Sequence, residues 1–349
     1  MKAYVLHDIN DLRYEEVDVP KVKPEEVLVR VKAAGICGSD IPRVYWAGTY
    51  SYPLIPGHEF SGVVEEIGAE VDSSWKGKRV GVFPLIPCME CEPCRNQHYE
   101  LCRKYSYLGS RTAGAFAEYV AVPEWNLIEL PDNVSYESAT MLEPMAVAVH
   151  AIQSMKPEKD DKVVVYGLGT IGILLVMFLV EAGTEQLLVV GNKDFQKKMA
   201  LQLGIPEENY CDSRNQNVDE WISLHTNGLG ADVSFECVGK NETISTVINS
   251  AAPNGRVQMI GNPASDIGFS KNIYWKILRN QLTVKGSWNS TFIHCDEDDW
   301  HYVLKRLKER RIQPEQFITH KFSAGELEQG FHIMRDKSEE YVKIMGLWE

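Results

Sequence analysis

Apolar and polar positions alternate along the first third of the chain. Residues 2–6, 12–18 and 26–34 place apolar side chains at every second position, with Pro20 and Pro24 between the runs. A period of two predicts strands with one buried face. The pattern returns at 57–68 and 79–83 and again from 114 to 130, punctuated by glycines and ending at Pro131. This part of the chain reads as a barrel-like β domain whose loops carry side chains. Residues 138–151 (SATMLEPMAVAVHA) then predict a helix, with Glu143 and Pro144 inside an otherwise apolar face. A carboxylate in that company either faces solvent or has a partner, and the pattern does not say which.

From about residue 161 the period changes. Strands are predicted at 163–166, 187–190, 233–237, 257–261 and 282–286, alternating with helices at 171–182, 195–203, 218–226 and 241–251. Strands and helices alternating at these lengths imply a parallel sheet covered on both faces, a doubly wound α/β domain. A charged amphipathic helix is expected over 296–311, and a last strand begins at Ile318.

The first strand of this second region runs into Gly167-x-Gly169-x-x-Gly172, with Thr170 and Ile171 opening an apolar helix. Glycines at this spacing allow a tight turn, close approach of a pyrophosphate and tight helix packing, while the helix N-terminus offers free N–H groups to the anion. A dinucleotide is therefore expected here. The residue that reads the adenosine ribose belongs at the end of the next strand, where the chain has Gly191, Asn192 and Lys193. With no carboxylate at Gly191, nothing repels a 2′-phosphate and Lys193 can pair with it, so NADP is favoured over NAD. If the strand ends a residue or two later, Asp194 serves NAD instead. Lys197 and Lys198 are either phosphate partners or an ordinary solvated face.

Four of the eight cysteines fall in one short segment, Cys88-x-x-Cys91-x-x-Cys94-x7-Cys102. Short CxxC spacings let thiolates converge on one tetrahedral ion, and a fourth thiolate closes the shell against water, so the quartet predicts a structural zinc site. Cys211, Cys237 and Cys295 have no evident partner, and Cys237 is expected to be a small buried residue beside the nicotinamide.

Composition narrows the partners. The 349 residues carry a net charge of −13, with 44% hydrophobic and 24% charged residues. That balance argues against nucleic acid, and any anionic ligand must be held by local arginines or lysines. No apolar run is long enough to span a bilayer and the N-terminal residues lack a secretory core, so no membrane partner is expected and a cytoplasmic location is.

Taken in order, Cys37-Gly38-Ser39-Asp40, Gly57-His58-Glu59, the cysteine quartet, Glu143-Pro144 and the glycine turn resemble the zinc-dependent medium-chain alcohol dehydrogenases, most closely their polyol dehydrogenase branch. The resemblance covers essentially the whole chain. It implies a GroES-like β-rich catalytic domain at 1–147 and 287–349, a structural-zinc lobe at about 84–106, and a Rossmann domain at 148–286. It implies two zinc ions per chain. The catalytic one would be held by Cys37, His58 and Glu143, with Glu59 as a neighbouring mobile carboxylate and Ser39 as the hydroxyl that relays the substrate proton. It also implies a homodimer or homotetramer.

Closer motifs, including CGSDIPR at 37–43, GSR at 109–111 and KILRNQLTVKGSW at 276–288, resemble the galactitol-1-phosphate 5-dehydrogenases. These oxidise a sugar-alcohol phosphate to a ketose phosphate. Arg43 and Arg111 are the candidate phosphate anchors, since a guanidinium grips phosphate bidentately. The competing expectations are an unphosphorylated polyol or secondary alcohol of the sorbitol or butanediol type and, more remotely, a non-catalytic dinucleotide-binding sensor.

Overall fold

The computed structural model describes residues 1–349. The chain divides into two compact units, 1–143 with 291–349, and 144–290.

In the first unit β1 (Lys2–Asp8) and β2 (Asp11–Glu16) form a hairpin. The main sheet is built on β3 (Glu26–Ile36), whose eleven residues are long enough to take two partners on one edge. Its other edge pairs with β4 (Glu59–Ile67), followed outward by β5 (Arg79–Val82), while β6 (Leu85–Ile86) and β7 (Ser106–Tyr107) pair apart as a small ribbon. The shared edge of β3 takes β8 (Tyr119–Pro123) against Glu26–Arg30, and β9 (Leu127–Glu129) closes the sheet beyond β5. Val27, Val29, Val31, Val80, Val82, Val120 and Val122 are buried, so the alternation seen in sequence is the inner face of this sheet.

The second unit holds a six-stranded, all-parallel sheet. Its strands are β10 (Lys162–Tyr166), β11 (Gln186–Gly191), β12 (Tyr210–Asp212), β13 (Ala231–Glu236), β14 (Ala251–Met259) and β15 (Thr283–Gly286), in the order β12-β11-β10-β13-β14-β15. This is the doubly wound order in which the direction of winding reverses between β10 and β13. Val163, Val164 and Val165 are fully buried, as a strand covered on both faces requires. The chain then returns to the first unit with β16 (Ile318–Ser323) and β17 (Lys343–Leu347), and β17 takes the remaining part of β3's shared edge, Ala33–Ile36.

Several boundaries differ from expectation. The helix expected over 138–151 is two helices, Tyr136–Thr140 and Leu142–Met155. Pro144 has no N–H to donate, and the restart at Leu142 places it in a first turn, where none is needed. The charged helix is shorter, Asp299–Lys308, because Asp298 caps it by accepting from the His301 N–H at 2.8 Å. The helix Lys271–Arg279, capped by Ser270, has no counterpart in the pattern reading.

Candidate active site

Strand register brings the catalytic candidates together. β3 runs out at Ile36, which leaves Cys37 on the following turn, and antiparallel β4 begins at Glu59, directly after His58. Gly35 lies opposite Glu59, and Ile344 of β17 lies opposite Ile36, so Lys343 arrives at the same corner. Cys37, His58 and Glu59 each offer a ligand atom, and these atoms lie within 4.8 Å of one another.

Buried polar partners fix the position of each of these groups. Asp40, fully buried, accepts from the Cys37 N–H at 3.0 Å and from Arg43 Nη1 at 2.5 Å, and its Oδ1 lies 3.5 Å from His58 Nδ1. Burial works to lower the pKa of His58, but Asp40 and Cys37 outweigh it and hold the imidazole well above its ordinary value. The Ser39 hydroxyl donates to Cys37 Sγ at 3.3 Å. Glu59 and Lys343 are both almost fully buried and paired, with Lys343 Nζ donating to the two carboxylate oxygens at 2.8 and 2.5 Å and to the Ile36 carbonyl at 3.2 Å. Gly35 makes room for that pair, since a Cβ there would overlap Glu59 Oε2 and crowd Lys343 Cδ at 3.3 Å.

Glu143 stands beside this group and is not part of the close cluster. Its Oε1 accepts from the Tyr107 hydroxyl at 3.2 Å, and the Tyr107 ring meets the His58 ring edge-on at 5.7 Å. Burial pushes its carboxyl up to about 7, against the pull of His58. The donor set fits zinc: a thiol, an imidazole and carboxylates, with a buried His58 Nδ1 that has no hydrogen bond of ordinary length and faces a carboxylate.

The quartet of cysteines is assembled. Sγ separations are 3.4 Å for Cys91–Cys94, 3.9 Å for Cys91–Cys102 and 4.0 Å for Cys88–Cys94, and all four are free thiols. A tetrahedron with Zn–S bonds of about 2.3 Å has edges of about 3.8 Å, whereas a disulfide needs about 2.05 Å. The residues therefore fit a structural zinc ion.

The glycine turn is also shaped for its ligand. Gly167 has φ of +88°, a Cβ on Gly172 would overlap the Gly167 carbonyl oxygen, and Gly169 is exposed with open space above it at the N-cap of the helix Thr170–Glu181. Beyond the adjacent β13, fully buried Glu236 accepts from the Val238 and Gly239 N–H groups at 3.0 and 2.9 Å and fixes Val238 against Gly167. At the end of β11, a Cβ on Gly191 would overlap the Tyr210 hydroxyl, which donates to the Lys193 carbonyl at 3.2 Å. The Asn192 N–H donates to Gln196 Oε1 at 3.0 Å, and Lys193 is exposed.

The two phosphate candidates separate. Arg43 is committed to Asp40 and only 16% exposed, so it supports the residue that lies beside Cys37 and His58 and is not a free anchor. Arg111 lies over the rings of Tyr105 and Tyr50, at 4.1 and 4.5 Å from their centroids, and donates to the Tyr105 carbonyl at 3.1 Å. Of the residues that sequence reasoning missed, Asp40 lay inside a motif already singled out. Lys343 was visible as a lone charge at the head of an apolar run, and Tyr107 carried no signal.

The chain matches the alcohol dehydrogenase GroES-like domain over residues 23–132 and the zinc-binding dehydrogenase family over 170–309. It is 30% identical to galactitol 1-phosphate 5-dehydrogenase of Escherichia coli K12 over 337 residues, 96% of each chain. It is 32% identical to L-idonate 5-dehydrogenase of Vitis vinifera over 340 residues, 95% of this chain and 90% of that one. The crystal structure of the Escherichia coli galactitol-1-phosphate dehydrogenase superposes with a TM-score of 0.93 at 28% identity, covering all of both chains. A zinc-binding dehydrogenase from Sinorhizobium meliloti bound to NADP superposes at 0.90 with 26% identity, covering 99% of both chains. An Escherichia coli alcohol dehydrogenase bound to NADH superposes at 0.91 with 26% identity, covering 100% of this chain and 99% of that one. The chain belongs to the zinc-dependent medium-chain alcohol dehydrogenases, in their polyol dehydrogenase branch.

Proposed function

We propose that this enzyme oxidises a secondary hydroxyl of a sugar-alcohol phosphate of the galactitol 1-phosphate type to the ketose phosphate, with NADP favoured over NAD. The observation that carries the substrate reading is Arg111. Its guanidinium lies over the rings of two tyrosines, has no carboxylate in contact, and connects through Tyr105 and Tyr107, at ring steps of 6.4 and 5.7 Å, to His58. An arginine pre-oriented in this way loses little freedom when it binds a phosphate. The cofactor reading is supported by Gly191, whose missing carboxylate is replaced by the neutral Tyr210 hydroxyl, and by the exposed Lys193.

Cys37, His58 and Glu143 would hold the catalytic zinc, which when bound polarises the substrate oxygen and eases loss of its proton, the nicotinamide taking the hydride. The chain's own residues do the rest. Asp40 orients His58 and the Cys37 backbone, and Arg43 in turn holds Asp40. Ser39 Oγ receives the substrate's hydroxyl proton as it passes its own proton on toward solvent, and Lys343 pairs with Glu59 beside the ligands. Cys88, Cys91, Cys94 and Cys102 would close around the structural zinc. The edge strand β15, whose four residues are all exposed, is where we place the contact with a second copy of the chain in a homo-oligomer.

The test is steady-state oxidation of galactitol 1-phosphate, sorbitol 6-phosphate and their free polyols by the wild type and by Arg111→Ala. Losing one charge-assisted phosphate contact removes about 1.5–3 kcal/mol, so kcat/KM on the phosphates should fall roughly 10- to 100-fold while the free polyols are unaffected. Equal activity of the wild type on free and phosphorylated polyols would overturn the phosphate reading and leave a polyol dehydrogenase.

A further inference from the structure

The adenosine end of the nucleotide site contains an arginine that the glycine motif does not announce. β11 and β12 are parallel neighbours in which Gly191 pairs with Asp212. The next residue, Ser213, donates through both its N–H and its hydroxyl to the Gly191 carbonyl, at 2.9 and 3.1 Å, so the turn after β12 is tied to the strand end where the ribose is read. Arg214 follows. Its Nε donates to Asp212 Oδ1 at 2.9 Å and its Nη2 to Asp212 Oδ2 at 2.6 Å, and Nη2 also reaches Asp194 at the start of the helix Asp194–Gln202.

The two partners differ. Asp212 is 19% exposed and grips one edge of the guanidinium with both oxygens, and the Arg214 N–H also donates to it at 3.0 Å. Asp194 is 90% exposed and touches a single nitrogen. A carboxylate so open to water contributes little to an ion pair. Asp212 therefore acts as the mount and Asp194 as an exchangeable occupant. Of the nearby lysines, Lys197 is already paired with Glu207 at 2.6 Å.

We propose that Arg214 is the contact for the 2′-phosphate of NADP(H), the phosphate replacing the carboxylate of Asp194 on a guanidinium that Asp212 holds in place. This rests on the NADP preference proposed above and names a residue that determines it. The Asp194–Arg214 pair then sets selectivity from both sides. Arg214 attracts the 2′-phosphate, and Asp194 both competes with it and repels it. With NAD the pair stays closed and the ribose meets a neutralised Asp194.

The experiment is fluorescence titration of the zinc-loaded enzyme with NADPH and with NADH, without substrate, for the wild type, Arg214→Ala, Arg214→Lys and Asp194→Asn. Arg214→Ala should weaken NADPH about 10- to 100-fold and change NADH less than about twofold. Arg214→Lys should recover part of the NADPH affinity, and Asp194→Asn should tighten NADPH severalfold. Equal losses for both dinucleotides in Arg214→Ala would mark a structural arginine and overturn the proposal, as would unchanged NADPH affinity. The wild-type ratio separates this from the broader reading. A wild type that prefers NADH, with a selective NADPH loss in Arg214→Ala, would refute the preference and keep the Arg214 contact. A wild type that prefers NADPH and keeps that preference in Arg214→Ala would do the reverse.

Discussion

Replacing Lys343 with Met removes the cation from a buried pair while nearly preserving its volume. In the native chain the Glu59 carboxylate receives two hydrogen bonds from Lys343 Nζ, at 2.8 and 2.5 Å, and both side chains are at most 2% exposed. Leaving such a charge buried without its partner costs about 3–5 kcal/mol, whereas removing both charges together is often nearly neutral. For a unit of about 200 residues, each kcal/mol moves Tm by about 2–4 °C, so Lys343→Met should lower the transition of the first unit by roughly 10 °C. The double change Lys343→Met with Glu59→Gln should restore most of that loss. Scanning calorimetry should be run with zinc and after chelation. A metal ion close to Glu59 would replace part of the missing positive charge, so the single variant should lose more stability in the chelated protein. A Lys343→Met transition at the wild-type temperature in both states, or no recovery in the double variant, would refute the view that this pair balances the charge of the metal corner.

Three further outcomes follow from the site geometry. Cys37→Ala should abolish alcohol oxidation with circular dichroism unchanged, whereas Cys91→Ser should first lower thermal stability and raise proteolysis within 88–102, with loss of one zinc per chain in a colorimetric zinc assay. Gly172→Ala drives a methyl group into the Gly167 carbonyl, so it should weaken NADH and NADPH binding alike, by at least about tenfold in a fluorescence titration, because the turn itself must open.

The period of two in the first third, the period change near residue 161 and the Gly167–Gly172 turn were legible because strand alternation and phosphate-binding turns are local in sequence. So was the cysteine quartet, whose four thiols lie within one short loop. The split of the helix at Met141 was written in Pro144 but not read from it. What could not be read was pairing across the fold. Glu59 meets Lys343 only because β3 stands between β4 and β17, and Arg43 looked like a free anchor until Asp40, three residues earlier, was seen to take it. Arg214 was hidden for the same reason: it meets Asp194 from the turn after the neighbouring strand β12, through a register that local patterning does not contain.

The division of β3's shared edge between β8 and β17 also sets a timetable for synthesis. On the ribosome, residues 1–143 can pair β3 with β4 and β8 while the 33–36 segment waits for a strand 284 positions beyond Glu59. Until Lys343 emerges, the nascent chain carries Glu59 with no cation beside it and an open length of sheet edge. Contacts this distant in sequence form late. The corner formed by Cys37, His58 and Glu59 is therefore among the last parts of the molecule to mature, and the second unit can complete its own sheet before Glu59 of the first has its cation.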